Sequence, residues 1–534
     1  MGIETEYAIA GLTPVGDAHE QTDLVTRFMG LARKELVYLP DAGSGLFLEN
    51  GSRFYMDYGN HPELGTPECS HPCDVVRYTL AGERILAELA SKMKGELAGV
   101  DVVLFKSNVD YGESPVTWGC HESYMHRAAT NALSDDVIPH LVSRIIYTGA
   151  GGFNSLSRGL EFTLSPRVRH LENVVSNNST SDRGIFHTKD ESLSKPGFHR
   201  LHIICGESLC SQTAMWLKVA TTALVVALSE AGLRPGEDVR LRAPLQAMQT
   251  LAADPSCTAS VETTSGRRLS AIEIQYHYLT LAERYVHLAR MPAWAADVCS
   301  EWRAVLNRLL DAPDSVASTL DWAIKRAMYS KYVSDRGIAW ESLPYWTLVL
   351  TELGYALDMT EYYAKPVDAD FILNNRGSIS HTVEQLTPWL QERGLSWDSL
   401  DTVIAVRREL FEIDTRFGQL GERGIFSTLD RAGVLTHQVS GVGAIETALT
   451  EPPAVGRARV RGEVIKRLAR TNGRYHCDWQ GIFDASQKRL LDLSEPFEEV
   501  ERWLDFEQAV RQGPPVFADL LMRSDGAFGS AGWR

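Results

Sequence analysis

Two glutamates stand one residue apart at the start of the chain, Glu4 and Glu6 in GIETEYAIAGL. In an extended strand such residues point to one face, roughly 6–7 Å apart, which leaves Ile3, Thr5, Tyr7 and Ile9 for the other. Taken alone, the pair fits either solvated acids on a half-exposed edge strand or two metal ligands. A second stretch, GSRFYMDYGNHPELGTPEC (51–69), sorts by the same rule. Arg53, Tyr55 and Asp57 fall on one face, and Phe54, Met56 and Tyr58 on the other. Glu63, Thr66 and Glu68 follow in a Gly/Pro-rich turn. Carboxylates gathered from two strands and a loop repel one another unless cations neutralise them. Hard oxygen donors favour magnesium or manganese, and magnesium commonly arrives with a nucleotide's phosphates. The planar fork of arginine suits phosphate. Arg53 is one candidate for that contact; Arg200, two residues before His202 in RLHIICGES (200–208), is the other.

These side chains need a framework. A chain of 534 residues expects two or three domains. With 44% hydrophobic and 23% charged residues it has the composition of a soluble globular protein. A net charge of −16 argues against a nucleic-acid partner but leaves room for an anionic substrate. The N-terminus shows no basic segment followed by an apolar run, so no secretory signal is expected. The stretch TAMWLKVATTALVVAL (213–228) is short and carries Lys218, so it reads as a buried helix and no membrane partner is expected. Eight scattered cysteines fit reduced thiols in the cytoplasm. Cys69 and Cys73 form the one close pair, without a second pair to complete a zinc site.

Segments 51–60, 101–112 and 200–208 read as strands. Residues 74–93 read as a helix capped by Asp74, and 267–335 as mostly helical. The whole is α+β, strands first and helices after. RGIAWESL (336–343) recurs as RGLSWDSL (393–400), and the tail after 508 looks poorly ordered. No GxxxxGK[ST] loop is present, and GAGGF (149–153) reads as a turn, so an ATP site is expected on a sheet lined with acids and metal. Carboxylate–amine ligases of the glutamine synthetase type are arranged in that way.

The blocks GIETEY (2–7), SRFYMDYGNHPE (52–63), YGESPVTWGCHESY (111–124), RLHIICGESL (200–209), DWAIKR (321–326), RGIF (423–426) and RARVRGE (457–463) span nearly the whole chain. In them the sequence resembles the family of Pup–protein ligases and depupylases. The resemblance implies a glutamine synthetase-like domain with a curved antiparallel sheet and helices, plus a small C-terminal domain. The expected division is 1–344 catalytic, 345–392 a helical insertion, 393–420 the last helical part of the catalytic domain, 421–507 the small domain and 508–534 a tail. It implies ATP and Mg2+ as cofactors, with a Pup-like modifier and lysine-bearing target proteins as partners. By position, Glu4, Tyr55 and Glu63 match magnesium ligands, with Glu6 and His202 as additional ones. Arg53, Thr66 and Trp479 (in HCDWQG) match nucleotide contacts, Arg200 reaches the phosphates, and Asp57 matches the catalytic base.

Two sister activities share these blocks. The ligase phosphorylates the side-chain carboxylate of the modifier's C-terminal glutamate and joins it to lysine as an isopeptide bond; the depupylase hydrolyses that bond. Depupylases carry a long extra loop between the first strand and the RxYxD strand, for which the span from Glu6 to Arg53 leaves little room. That span and EPPAVGRARVRGEVIKRL (451–468) favour the ligase. The hydrolase, a small-molecule ligase of the same superfamily and a non-catalytic modifier-binding relative stay as alternatives. The last is disfavoured by the joint presence of Glu4, Glu6, Tyr55, Asp57 and Glu63, since binding alone needs no metal-and-base set. The run HTKDES (187–192) departs from the family pattern at Lys189 and Ser192, and His199 stands where relatives have a second arginine.

Overall fold

The computed structural model describes residues 1–12, 21–57, 59–97, 100–112, 116–177, 182–188, 193–288, 291–358 and 380–512. Tyr58, Lys189, Ser192, the middle of the 345–392 segment and the tail from 513 lie outside the described residues. Nine strands form the main sheet: β1 (Gly2–Glu6), β2 (Tyr38–Pro40), β3 (Leu46–Leu48), β4 (Arg53–Met56), β5 (Pro62–Gly65), β6 (Cys120–His126), β7 (Asn173–Ser176), β8 (Gly184–His187) and β9 (His199–Ile203). Their order across the sheet is β7-β8-β9-β6-β1-β5-β4-β3-β2. Strand β1 is therefore central, and the edge-strand reading of Glu4 and Glu6 falls. All pairings are antiparallel except β7 with β8, which run parallel at the sheet edge. There the Arg183 carbonyl accepts from the backbone N–H groups of Glu172 and Asn173. The expected antiparallel sheet is thus a mixed one.

Alternation holds along β1. Ile3 and Thr5 are buried while Glu4 and Glu6 are partly exposed. Behind the sheet, Ile3 packs into a large apolar cluster with Val75 and Val76, Val137 and Leu141, and Leu217 and Val219. Tyr7 joins Phe54 and Leu64 in a second cluster. Helix Gln212–Glu230 is buried nearly all round, so its apolar sequence serves the core. Among the described residues it is the one helix long and apolar enough to cross a membrane, and 89% of its apolar window is buried inside the protein. Lys218 is accommodated within it by donating to the Glu207 carbonyl at 2.9 Å.

The helix expected over 74–93 runs from Pro72 to Glu96, and its cap is His71 rather than Asp74. Pro72 supplies the first helical dihedral without an N–H to satisfy, and the His71 Nδ1 accepts from Cys73 N at 3.1 Å. Asp74 lies inside the first turn and pairs with Arg77. The repeated RG motif proves to be one device used twice. Gly337 and Gly394 have φ of +73° and +68°. In each copy the glycine and its successor close a helix end, Gly337 N onto Ser334 O and Ile338 N onto Val333 O, Gly394 N onto Gln391 O and Leu395 N onto Leu390 O, all at 3.0 Å. Trp340 and Trp397 then pack into the same apolar cluster.

Towards the C-terminus, helix Gly456–Leu468 precedes a four-stranded antiparallel meander, β10 (Tyr475–Asp478), β11 (Gly481–Asp484), β12 (Arg489–Asp492) and β13 (Trp503–Leu504). Val460, Val464, Ile482 and Leu491 pack on Leu39 and Phe47 of β2 and β3. This contact brings the β10–β11 turn, and Trp479 with it, over the main sheet.

Candidate active site

Direct partners in an antiparallel ladder share a face. Glu4 pairs with His121 on one side and Gly65 on the other, and Gly65 with Arg53; Glu6 pairs with Glu63, and Glu63 with Tyr55. Ser123, beside Gly2, pairs with His202. One face of five adjacent strands therefore carries Glu4, Glu6, Arg53, Tyr55, Glu63, His121 and His202. Asp57 extends the β4 row beyond the strand end, held by His61, whose backbone N donates to Oδ1 at 2.7 Å and whose Nδ1 lies 3.1 Å from Oδ2.

The electrostatics of this row are those of acids short of positive charge. Burial pushes the Glu63 carboxyl well above its usual range, and the charges of Glu4 and Glu6 push it further. The Tyr55 hydroxyl, itself raised by burial, shares a hydrogen bond with it. Burial also raises Glu6, partly offset by Arg167 and by Gly119 N, which donates to Oε2 at 2.8 Å. Asp57 goes the other way: burial raises it, but the hydrogen bonds from His61 outweigh that and hold it below the usual carboxylate value. His121 is pushed down to about 3, by burial first and then by Arg167 and Lys218. It is a neutral imidazole at neutral pH, with nitrogen lone-pair capacity to offer.

Three groups of these side chains have ligand atoms within 4.8 Å of one another: Glu4 with His121 and His202, Glu6 with Glu63 and His121, and Glu6 with Asp57 and His61. The donor set fits divalent cations, since every group pairs carboxylate oxygen with imidazole nitrogen and the repulsion among the carboxylates is what a cation relieves. Sequence reasoning missed His121 and His61. The signal for His121 was available, because alternation in CHESYMH puts it on the face of Ser123 and opposite the buried Glu122.

Beside the row opens a cavity of about 500 Å3, whose walls include Gly2, Glu4, Thr66, Ser123, Arg200, Trp479 and Phe497. That is the size of a small-molecule site. Of the expected nucleotide contacts, Thr66, Arg200 and Trp479 meet there. Trp479 stands edge-on to Phe47, with ring centroids 5.1 Å apart. A Cβ on Gly65 would meet Trp479 Cζ2 at 3.8 Å and Glu4 Cγ at 3.6 Å, so the indole lies against the acid row. Thr66 Oγ1 accepts from Ile3 N at 3.1 Å, tying the turn to β1. Arg53 stacks over Tyr55, 4.1 Å from the ring centre, and pairs with Asp41 at 2.5 Å. Glu68, grouped with the acids on sequence, lines the cavity but is bound by Arg457 and Arg461 of the C-terminal helix. It is a tether, not a free ligand.

A helix-backed sheet with a row of acids and imidazoles running into a nucleotide-sized cavity has the build of a nucleotide-using enzyme. The chain belongs to the Pup-ligase family: the model described as Pup-ligase protein matches residues 1–361 and 384–483. Among curated proteins it is similar to the Pup–protein ligase of Acidimicrobium ferrooxidans, 31% identical over 94% of this chain and 97% of that one. The Pup–protein ligase of Mycolicibacterium smegmatis is 29% identical over 94% and 97%. Among solved structures, the ligase PafA in complex with the prokaryotic ubiquitin-like protein Pup superposes with a TM-score of 0.71 at 21% identity, covering 99% of this chain and 95% of that one. PafA in complex with ADP gives 0.65 at 21%, covering 95% and 94%. These likenesses show the fold: mixed α+β, with one large sheet and a small C-terminal sheet.

Proposed function

We propose that this chain is an ATP-dependent Pup–protein ligase, phosphorylating the side-chain carboxylate of a Pup-like modifier's C-terminal glutamate and joining it to a lysine of a target protein. The observation that carries this is the junction at Glu4, where the acid row meets a cavity bordered by Thr66, Arg200 and Trp479. Relatives over nearly the full length are named Pup–protein ligases, and a structural neighbour is described in complex with ADP. We read the domains as divided at 344, 392, 420 and 507.

In this reading Trp479 and Thr66 hold the nucleoside part, and Arg200 holds phosphate oxygens with paired N–H donors. Glu4, Glu6, Tyr55, Glu63 and His202 would hold magnesium, with His121 as a further donor. Magnesium bound there would neutralise phosphate charge and orient the triphosphate for in-line transfer. The substrate carboxylate attacks the γ-phosphorus, and the bond to the β-phosphate oxygen breaks, releasing ADP. The lysine nitrogen then attacks the acyl carbon, and phosphate leaves with its oxygen. A protonated amine cannot attack. Asp57, ionised at neutral pH and fixed by His61, accepts the proton. Arg53, braced by Asp41 and stacked on Tyr55, positions the far end of the row.

The test incubates the protein with ATP, magnesium, a Pup ending in glutamate and a lysine-bearing target. Formation of an isopeptide conjugate with stoichiometric ADP is expected. Release of Pup from a preformed conjugate, with no new conjugate made, would assign the hydrolytic sister activity instead.

A further inference from the structure

The donor groups along the row differ in kind. Glu6 with Glu63 and His121, and Glu6 with Asp57 and His61, each hold two carboxylates and one imidazole; Glu4 with His121 and His202 holds one carboxylate and two imidazoles. A third imidazole stands behind that nitrogen-rich end. His187 of β8 is 3% exposed and faces His202 directly across the ladder, the register that joins β8 to β9. Direct cross-strand partners share a face, so His187 belongs to the face of the row. Its ring centroid lies 5.7 Å from that of His202, which in turn lies 5.5 Å from that of His121. On its other side His202 meets Ser123, whose Oγ is 3.2 Å from Nδ1. The His202 ring is therefore flanked on both sides.

His187 has an anchor of its own. Its Nδ1 lies 3.0 Å from the Ser176 carbonyl, which can only accept, so that nitrogen carries the proton. Ser176 is its partner in β7. The parallel edge strand thereby fixes the ring that abuts His202. Imidazole nitrogen suits first-row transition-metal dications, whereas magnesium keeps to oxygen and water. We propose that His187 is a positioning residue that holds His202 for a transition-metal dication at the Glu4–His121–His202 end of the row, leaving magnesium to the carboxylate-rich end. The inference rests on the cation reading of the row made above, and adds which cation each end prefers and what orients the ligand.

Manganese(II) serves as the probe. The nucleotide-free full chain is titrated with it and followed by electron paramagnetic resonance, and magnesium binding is measured separately by isothermal titration. The parent is expected to bind its first manganese more tightly than magnesium and to show nitrogen hyperfine coupling in the spin echo. His187→Ala should weaken that manganese about tenfold, with magnesium affinity within about twofold of the parent. His187→Phe keeps the buried bulk but cannot donate to Ser176, and it should show the same selective loss; it carries the test if His187→Ala does not fold. Absence of nitrogen coupling in the parent, no preference for manganese, unchanged manganese affinity in a folded variant, or an equal loss for both metals would each overturn the inference. A parent that binds manganese through nitrogen yet makes no conjugate overturns the ligase reading and leaves this site standing. Conjugation with magnesium but without nitrogen coupling does the reverse.

Discussion

At the scale of single residues, the role proposed for Asp57 as proton acceptor can be tested by itself. Its carboxylate faces the acid row, and two hydrogen bonds from His61 fix its direction. Asp57→Asn keeps the shape and removes the proton acceptor. Conjugation should fall about 100- to 10,000-fold while nucleotide affinity changes little, measured by conjugate formation and ADP binding. Conjugation at the parent rate would remove Asp57 from the mechanism. Period-two alternation made Glu4, Glu6, Arg53, Tyr55 and Asp57 legible, because strand geometry is local. His121 and His61 escaped because their value lies in what stands opposite them. His121 pairs with Glu4 only once β6 is known to lie beside β1. Glu68 was misjudged for the same reason, since its partners Arg457 and Arg461 are almost 400 positions away.

At the scale of elements, two glycine positions have separate roles. Gly119 leads into β6, and a Cβ there would meet His121 Nε2 at 2.7 Å and Arg167 Nη2 at 3.2 Å. Both are ends of side chains, so Gly119→Ala should fold, displacing the imidazole and guanidinium. Magnesium-dependent activity is expected to drop about tenfold or more with a nearly unchanged melting temperature. A large loss of stability with normal specific activity contradicts this placement. Gly394, by contrast, has open space around it and a left-handed φ. Gly394→Ala should cost about 1 kcal/mol in denaturant unfolding and leave catalysis alone. The recurrence of RG-x-x-W was visible in the sequence, but its meaning as a repeated helix stop appeared only with the backbone. The Asp74 cap failed because His71 and Pro72 already supply the cap and the first turn.

At the scale of the molecule, Glu68 joins the catalytic sheet to the C-terminal helix. Burial alone would raise its carboxyl, but Arg461 and Arg457 hold it down at about 2, below the ordinary glutamate value of 4.5. The ionised form is the one the fold favours. This stabilisation is complete above about pH 4.5 and fades as pH falls towards 2. Glu68→Gln leaves two buried arginines without their counter-charge. It should destabilise the protein by about 2 to 3 kcal/mol at neutral pH, with the gap to the parent closing below pH 4.5. Because Trp479 follows that helix, nucleotide affinity should weaken in parallel. Undiminished ADP binding would show that the tether does not set the cavity.

The sequence by itself determined the strand faces, the chemical types on them and the buried character of the 213–228 helix, because these follow from residue alternation and composition over short spans. Only the tertiary structure decided that β1 is central, that His121 completes two donor groups, that Glu68 is spent on arginines, and that Trp479 reaches the acid row. Strand order and the docking of the C-terminal meander depend on contacts between distant segments, and no local pattern encodes those partners.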